Sequence, residues 1–460
     1  MFLWNGRDNK IAVIKAETFQ NLFSLTNLNL ESNDINEIEA GAFETLSKLR
    51  TLNLQGNNIA EINVGTFQNL SRLTDLNLRD NNIAEINVET FQNLSSLTDL
   101  NLWDNNIQEI KAGTFQNLSS LKTLDLDRNS IKEIKSGTFQ NLSSLTSLYL
   151  QTNNMETIEI RALHDLPRLQ KLYFSYNNIK EIKVGIFQNL SSLKFLSLSS
   201  NQIKEISADT FRNLSNLEDL YLSYNNITEI KAGTFQDLFS LKTVYLENNN
   251  IETIGIRAFR DLPSFTTLLL SYNNIKEIQS DAFRNLSRLT YIYLEYNNIE
   301  KIEARAFHEL PSLGYLFLDY NNIKEIQSGA FRNLPSLTDL FLSHNNIKEI
   351  PLDTFRNLSS LTDLELHKND IKELDVGAFQ DLPGLDTLEL YENNITNIKA
   401  GTFRNLSSLT DLELYENQIT ELEAASFQDL PSLTNLKLYD NKIKNIKVGT
   451  FRNLSSLTSL

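Results

Sequence analysis

The chain has 460 residues, of which 42 are basic and 58 acidic, and its formal net charge is −16. This charge disfavours binding to nucleic-acid phosphates or to anionic lipid surfaces. Because there is no cysteine, the sequence excludes disulfides, thiol nucleophiles and cysteine-ligated zinc. We find no apolar run that is long enough for a signal peptide or a transmembrane helix.

One pattern recurs every 24 residues: Leu-x-x-Leu-x-Leu-x-x-Asn-x-Ile-x-x-Ile, followed by a Phe and a Leu. A representative copy consists of Leu25, Leu28, Leu30, Asn33, Ile35, Ile38, Phe43 and Leu46. A fixed period of this length indicates one supersecondary unit that is stacked into a solenoid. We therefore predict a single domain over residues 1–460, with about 19 repeats and with both ends uncapped.

Each repeat begins with a predicted strand. Apolar and variable residues alternate there, so Leu28 and Leu30 should point inward while residues 27, 29 and 31 point outward. The strands of successive repeats would lie side by side as a parallel sheet. We call the outward position between the second and third Leu the central slot. The two residues after the third Leu are the first and second exit slots.

An Asn follows every strand, in all nineteen repeats from Asn9 to Asn441. An inward amide carries donors and an acceptor, so we expect these residues to form a ladder that joins each coil to the next. Leaving such a buried group unpaired would cost about 1–3 kcal/mol. On the far side of the repeat a Phe recurs from Phe19 to Phe451, with Leu163 as the only gap.

The repeat resembles the "typical" 24-residue leucine-rich repeat of animal extracellular proteins such as Toll, Slit and the small matrix proteoglycans. The resemblance covers the whole chain, but the Cys-rich caps of those proteins are absent. It implies an α/β-type, mainly β solenoid: a curved horseshoe with a parallel sheet on its concave face and an irregular or short-helical convex side. It also implies a binding role and an extracellular or cell-surface location.

The outward slots change in character along the chain. The central slot carries mainly Asn in the first repeats, mainly Tyr or Phe in the middle and Glu near the end, and all fifteen Tyr occupy outward strand or exit slots. Tyr offers a large, rigid contact area with a polar tip, so we predict a surface that binds a protein or peptide. The acidic row, formed by the three Glu residues of the central slot near the end of the chain, should favour a basic partner. The predicted binding residues are Tyr149, Tyr173, Tyr176, Phe195, Tyr221, Tyr224, Tyr245, Tyr272, Tyr291, Tyr293, Tyr296, Tyr315, Phe317, Tyr320, Phe341, Glu365, Glu389 and Glu413.

Strand preference and gene duplication also fit the pattern of aromatic residues. Tyr and Phe suit strands and stack across neighbouring ones by roughly 0.2–1 kcal/mol per pair, and a Tyr-bearing repeat could have been duplicated without selection. Strand preference does not explain the Tyr column in the second exit slot, where the strand has ended. For the acidic row, a solvated charged face is the alternative to a basic partner or a cation, with Lys368 and Lys437 near enough to compensate the charge.

Two further functions compete with partner binding. One is a structural spacer or a scaffold that self-associates end to end through its uncapped ends. The other is cation-dependent adhesion through the acidic row, Glu365, Glu389 and Glu413, for which calcium would shift the melting temperature.

We expect no enzymatic activity and no cofactor, because the sequence contains no Gly-rich phosphate loop and no nucleophile elbow. His344 and His367 take exit slots on adjacent repeats near Glu365, which suggests a two-His-plus-carboxylate metal site. On balance we predict no metal site.

Glycosylation sequons recur with the repeat, and in a secreted eukaryotic protein they would accept glycans. The Asn-Leu-Ser copies would lie on the convex side, whereas Asn226 would place a glycan beside the proposed surface. Inheritance of the repeat consensus explains them equally well. The sequons are Asn69, Asn93, Asn117, Asn141, Asn189, Asn213, Asn226, Asn285, Asn357, Asn394, Asn405 and Asn453.

Overall fold

The structure, a computed structural model, describes residues 2–460. It divides into two compact units, of which the first ends at Asn225 and the second is Asn226–Leu460. Each unit is a series of 24-residue coils, and each coil contributes one short strand at the same position of the repeat. A single domain over residues 1–460 stays a prediction.

The main strands are three residues long. In the first unit they are Leu3–Asn5, Asn27–Asn29, Thr51–Asn53, Asp75–Asn77, Asp99–Asn101, Thr123–Asp125, Ser147–Tyr149, Lys171–Tyr173, Phe195–Ser197 and Asp219–Tyr221. In the second unit they are Thr243–Tyr245, Thr267–Leu269, Tyr291–Tyr293, Tyr315–Phe317, Asp339–Phe341, Asp363–Glu365, Thr387–Glu389, Asp411–Glu413 and Asn435–Lys437.

The main strands within each unit pair in parallel, and the paired residues are 24 positions apart. Leu28 lies opposite Leu52 in the first unit, and Leu364 lies opposite Leu388 in the second. In most strands the middle residue is buried while its two neighbours are partly exposed. The predicted inward Leu residues, outward slots and parallel sheet are therefore confirmed.

A second, two-residue strand follows the Asn in some of the coils. These strands are Val13–Ile14, Glu37–Ile38, Glu133–Ile134 and Thr157–Ile158 in the first unit. In the second unit they are Glu229–Ile230, Thr253–Ile254, Glu277–Ile278, Lys301–Ile302, Glu325–Ile326, Asn397–Ile398, Glu421–Leu422 and Asn445–Ile446. They pair in parallel with the same 24-residue offset, and their Ile or Leu residues are mostly buried.

The segments on the far side of the coils are turns. Residues 2–460 contain no helix, and hence none that could cross a membrane. The irregular convex side is thus confirmed, whereas the short helices offered as its alternative are absent from the described residues. Left-handed residues explain this: Gly65 (φ +89°) and Asn69 (φ +70°) enclose only three residues of one turn, which is too short for a helix.

The Phe column fills the core behind these turns. In the first unit the rings of Phe43 and Phe67 are nearly parallel with centroids 6.5 Å apart, and in the second unit those of Phe403 and Phe427 are 5.9 Å apart. Leu163, which replaces a ring in the first unit, is fully buried. Burying a side chain of this size stabilises by about 1.5–3 kcal/mol, so the column is a large part of the core.

The Asn ladder joins adjacent coils within each unit as predicted. Asn57 donates from Nδ2 to the carbonyl oxygens of Leu30 (3.1 Å) and Leu54 (3.0 Å), and its Oδ1 accepts from the backbone N–H of Ile35 (3.0 Å). Leu30 and Ile35 belong to the preceding coil, whereas Leu54 belongs to the coil of Asn57 itself. Each such amide therefore satisfies three buried backbone groups that no strand pairing reaches.

Candidate functional site

Eight rings in the second unit form one continuous stack along the exit slots, which we call the exit stack. The separations of neighbouring ring centroids are 4.4, 4.4, 4.0, 5.6, 4.2, 4.4 and 4.5 Å in chain order. The members are Tyr272, Tyr296, Tyr320, His344, His367, Tyr391, Tyr415 and Tyr439.

The exit stack changes column once. Its first four rings occupy second exit slots and its last four occupy first exit slots. The edge-to-face contact of His344 with His367 (interplanar angle 79°) joins the two columns, whereas the other neighbours lie nearly parallel. Without these two imidazoles the stack would be two separate ladders of Tyr.

Backbone strain marks the second exit slot. Tyr272 and Tyr296 have φ of +56°, and Tyr320 has φ of +51°, in the left-handed region that Gly and Asn adopt most easily. An L-residue with a Cβ is disfavoured there by roughly 1–2 kcal/mol. Local backbone preference therefore does not account for Tyr in this slot, and Asn248 occupies it on a neighbouring coil.

The exit-stack tyrosines are also accessible. Tyr272 is 51% exposed, Tyr320 43% and Tyr439 55%, so these rings are stacked and are still partly open to solvent. Burial and the neighbouring Glu413 carboxylate raise the pKa of Tyr415 to about 12, so its hydroxyl remains protonated at physiological pH. A row of neutral phenols offers apolar faces together with hydrogen-bonding groups.

A second set of rings lies on the strands of the same unit. Tyr293, Phe317 and Phe341 stack in the central slot with centroid separations of 4.6 Å, and Tyr291 stacks on Tyr315 at 4.8 Å. Leu269 holds the central slot of the strand between Tyr245 and Tyr293. These contacts agree with the cross-strand stacking that strand preference alone would give.

The first unit has its own aromatic cluster. Tyr149, Tyr173, Phe195 and Tyr221 contact one another in sequence at 4.8, 4.7 and 4.8 Å. Tyr176 and Tyr224 are the most exposed tyrosines of the structure, at 64% and 61%. The predicted aromatic residues thus form clusters within each unit, and whether they bind a partner stays a prediction.

The acidic row does not behave as three equivalent carboxylates. Glu365, Glu389 and Glu413 lie opposite one another on adjacent strands as expected. Glu413, however, forms an ion pair with Lys437, whereas Lys368 pairs with Glu392 at 3.5 Å instead of with the row. Burial and the charges of Glu389 and Asp319 raise the pKa of Glu365 to about 7.

His367 lies between the two remaining carboxylates. Its Nδ1 is 3.0 Å from Oε2 of Glu389 and 3.9 Å from Oε2 of Glu365. The three side chains bring their ligand atoms within 4.8 Å of one another. His344 is outside this group and stacks on Tyr320, so the two-His arrangement suggested by the sequence becomes one His with two Glu.

Sequence reasoning missed a further polar cluster in the first unit. The guanidinium groups of Arg79 and Arg128 lie over the ring of Trp103, at 3.9 and 5.0 Å from its centroid. Beside them Asp127 is almost fully buried, and its carboxylate accepts hydrogen bonds from the backbone and side-chain amides of Gln151. The sequence could have indicated this cluster, because Arg79, Trp103 and Asp127 occupy the first exit slot of successive repeats.

The sequons have a structural explanation in the turns. Eight of the ten Asn of the Asn-Leu-Ser copies have positive φ: Asn69, Asn141, Asn189, Asn213, Asn285, Asn357, Asn405 and Asn453. Asn tolerates this conformation better than most residues. In the same slot Asp237 and Asp261, which are not sequons, also have positive φ. The recurrence of Asn there therefore needs no glycan.

One parallel strand per 24-residue coil, a buried Asn ladder and a column of Phe define a leucine-rich-repeat solenoid. The chain belongs to the leucine-rich repeat family: models of that family match residues 7–59, 47–102, 95–155, 119–179, 167–227 and 409–460. A model of the BspA-type leucine-rich repeat region matches residues 204–338 and 276–394. No curated protein sequence matches the chain.

Solved structures with the same fold come from very different proteins. A glycosylated Toll–Spatzle complex of Drosophila has a TM-score of 0.72 and 18% identity, covering 97% of this chain and 75% of that one. A leucine-rich repeat protein of Leptospira interrogans has a TM-score of 0.61 and 23% identity, covering 96% and 97%. The complex of TLR13 with the single-stranded RNA ssRNA13 has a TM-score of 0.52 and 24% identity, covering 98% and 86%.

These similarities confirm the predicted leucine-rich repeat fold, which is typical of non-enzymatic binding modules. They do not support the exclusion of nucleic acid, since one similar structure holds RNA. That exclusion depends on the net charge of this chain alone.

Proposed function

We propose that the second unit binds a protein or peptide across the exit stack and the neighbouring rings of the strands. The observation that carries the proposal is the exit stack itself, an extended row of rings that are partly exposed except for the buried His367. Its first four members occupy strained backbone positions. Strand preference and sheet stacking explain the rings of Tyr293 and Phe317, but they do not explain Tyr at φ of +56°.

The proposed ligand lies along the stack in an extended conformation and is basic overall. Tyr rings supply large contact areas at a low cost in side-chain entropy, and rows of hydroxyls supply hydrogen bonds. Asp339 lies opposite Asp363 on the adjacent strand, and Glu365 and Glu389 continue the negative charge along the sheet. Such a surface would accelerate association with a cationic partner in a salt-dependent manner. An extracellular location is part of this proposal.

The left-handed backbone of Tyr296 and Tyr320 allows the binding role of their rings to be tested separately from the fold. Replacing Tyr296 and Tyr320 by Asn removes two rings but installs the residue that Asn248 already provides in this slot, so the fold should be retained. A library of random peptides displayed on phage would be selected on the full chain. We expect selected peptides to be basic, to lose at least tenfold in affinity for the double variant and to weaken with added salt.

The matched control is Glu416→Asn. Glu416 occupies the second exit slot of a coil whose stacked ring, Tyr415, lies in the first exit slot. Peptides that bind the parent, the control and the double variant equally would contradict the proposal. So would a double variant that melts far below the parent, because the rings would then serve the fold.

End-to-end self-association, the alternative function expected from the sequence, stays a prediction. Multi-angle light scattering of this chain over a dilution series tests it. Multimers at low concentration would support a scaffold function, and a monomer at every concentration would exclude it.

A further inference from the structure

The side chains of Glu365, His367 and Glu389 converge on one point of the outward face of the sheet. The separations from Nδ1 of His367 to the two carboxylates are 3.0 and 3.9 Å, and all three ligand atoms lie within 4.8 Å of one another. A tetrahedral zinc ion with bond lengths of about 2.0–2.2 Å holds its ligand atoms roughly 3.3–3.6 Å apart. The two separations lie on either side of that range, so small side-chain rotations would suffice.

The imidazole of His367 supplies an independent observation. The residue is only 8% exposed, and among residues 2–460 its Nδ1 has no hydrogen-bond partner. The nearby Glu389 oxygen is within ion-pair distance but outside hydrogen-bond geometry. A buried nitrogen without a partner is costly, by about 1–3 kcal/mol, unless something else satisfies it.

The ring is held in place by its neighbours in the exit stack. Tyr391 lies parallel to it with centroids 4.2 Å apart, and His344 contacts it edge to face at 5.6 Å. These contacts hold the plane of the imidazole, with Nδ1 close to both carboxylates. A ligand whose orientation is fixed before binding favours a specific metal geometry.

The ligand set selects the class of ion. One neutral imidazole and two carboxylates carry two negative charges, which a divalent cation neutralises. Calcium prefers six to eight oxygen ligands and magnesium prefers six. A combination of imidazole and carboxylate instead suits zinc and similar ions. Three protein ligands would leave a fourth position for water or for a group of a bound partner.

We propose that Glu365, His367 and Glu389 form a binding site for a divalent transition-metal ion, with zinc as the best fit. This replaces the expectation of no metal site and the expectation of a calcium-dependent acidic row. It does not depend on the proposed peptide-binding function.

The next coil offers an internal control. There Glu389 and Glu413 occupy the same two central slots, but Tyr391 replaces the imidazole and Lys437 pairs with Glu413. The substitution His367→Tyr therefore reproduces an arrangement that the chain already contains. It preserves a ring in the exit stack and removes the imidazole nitrogens.

The experiment is a titration of the untagged full chain with Zn²⁺ by calorimetry and with Co²⁺ by visible absorption, at a pH of about 7.5. We expect one equivalent of either ion, with the intense absorption bands of tetrahedral Co²⁺. His367→Tyr and Glu389→Gln should each weaken binding by about 100-fold or more, because removing a ligand exceeds the usual second-shell effect. Glu413→Gln should bind as the parent does.

Absence of a stoichiometric site in the parent would overturn the proposal. Binding that is equally tight in His367→Tyr would also overturn it, because the ion would then sit on other groups. If His367→Tyr fails to melt cooperatively, Glu365→Gln and Glu389→Gln decide the question, since both leave every ring in place. Unchanged zinc affinity in that pair would exclude the site.

Discussion

The imidazole of His344 packs edge to face against the ring of His367, with centroids 5.6 Å apart, and this contact converts two columns of rings into one. His344 belongs to the strained second exit slot, with φ of +53°, and His367 to the first. The junction therefore changes both the column and the local backbone conformation of the stack within a single coil.

The junction should stabilise the second unit through its rings. We expect His344→Ala to lower the free energy of unfolding by about 0.5–1.5 kcal/mol, the usual contribution of an aromatic pair. His344→Tyr should cost less, because it preserves the stacking on Tyr320. Urea titration followed by circular dichroism provides the comparison, and equal midpoints for the Ala and Tyr variants would show that the ring contributes nothing.

The Asn ladder should be far more sensitive than its flanking residues. Asn297 is buried, and it donates to the carbonyl oxygens of Leu270 and Leu294 and accepts from the backbone N–H of Ile275. Asn297→Ala leaves the buried N–H of Ile275 without its acceptor, whereas the two carbonyl oxygens keep bonds from Asn273 and Asn321. We therefore expect a loss of about 1–3 kcal/mol by urea titration. The control is Asn298→Ala at the exposed adjacent position, for which a loss within about 0.5 kcal/mol is expected. Similar losses in both variants would contradict the role of the ladder.

The repeat pattern predicted most of the fold because its constraints are local and identical in every coil. Alternation placed Leu28 inward and residue 29 outward, and the recurring polar residue in a buried slot required a ladder at Asn33. The sequence did not determine the backbone conformation of the convex side, because an apolar spacing such as that of Phe67 and Leu70 fits a turn as well as a short helix. The conformation is decided by φ at Gly65 and Asn69, which periodicity does not encode.

The candidate site was predictable only in part, for a related reason. Column positions identified Tyr296 and Tyr320 as neighbours, since both are Tyr in the same slot. The role of His344 and His367 depends on a diagonal contact between slots and on side-chain orientation. Neither follows from counting residues. The ion pair of Glu413 with Lys437 distinguishes Glu413 from the other two glutamates. This pairing also could not be predicted from the sequence.

Asp127 should make the stability of the first unit depend on pH. Burial, followed by the charge of Asp125, raises the pKa of Asp127 from 3.8 to about 7. The folded state therefore binds this proton more tightly than the unfolded state. The resulting stability is fully present below about pH 4 and is lost as the pH rises through about 7, with a difference on the order of 2–4 kcal/mol.

Asp127→Asn removes this titration while retaining an oxygen for the amide of Gln151. We expect the variant to be more stable than the parent at pH 8 and the difference to shrink towards pH 5. Urea midpoints across that range measure it, with the exposed Asp165→Asn as control. A difference that is constant with pH would show that Asp127 has no raised pKa.

The two guanidinium groups around Trp103 should be visible in its fluorescence. In a Trp4→Phe background, which leaves Trp103 as the only indole, we expect Arg79→Gln to shift the emission to longer wavelength as the ring gains solvent. The variant should also lose about 0.5–2 kcal/mol of stability, the range of a cation–π contact. The exposed Arg72→Gln serves as control. An unchanged emission spectrum in Arg79→Gln would mean that Arg79 does not cover the ring.

The bonds of each ladder amide extend only to its own coil and to the coil before it, as Asn57 shows with Leu30 and Leu54. A recombination event that removes or repeats a whole 24-residue unit therefore rejoins equivalent partners and leaves no amide unmatched. Genes for such a chain can therefore grow or shrink by in-frame duplication or deletion of whole units with the ladder intact. Each copied unit also carries its outward residues with it, so a run of tyrosines can be lengthened in one genetic step.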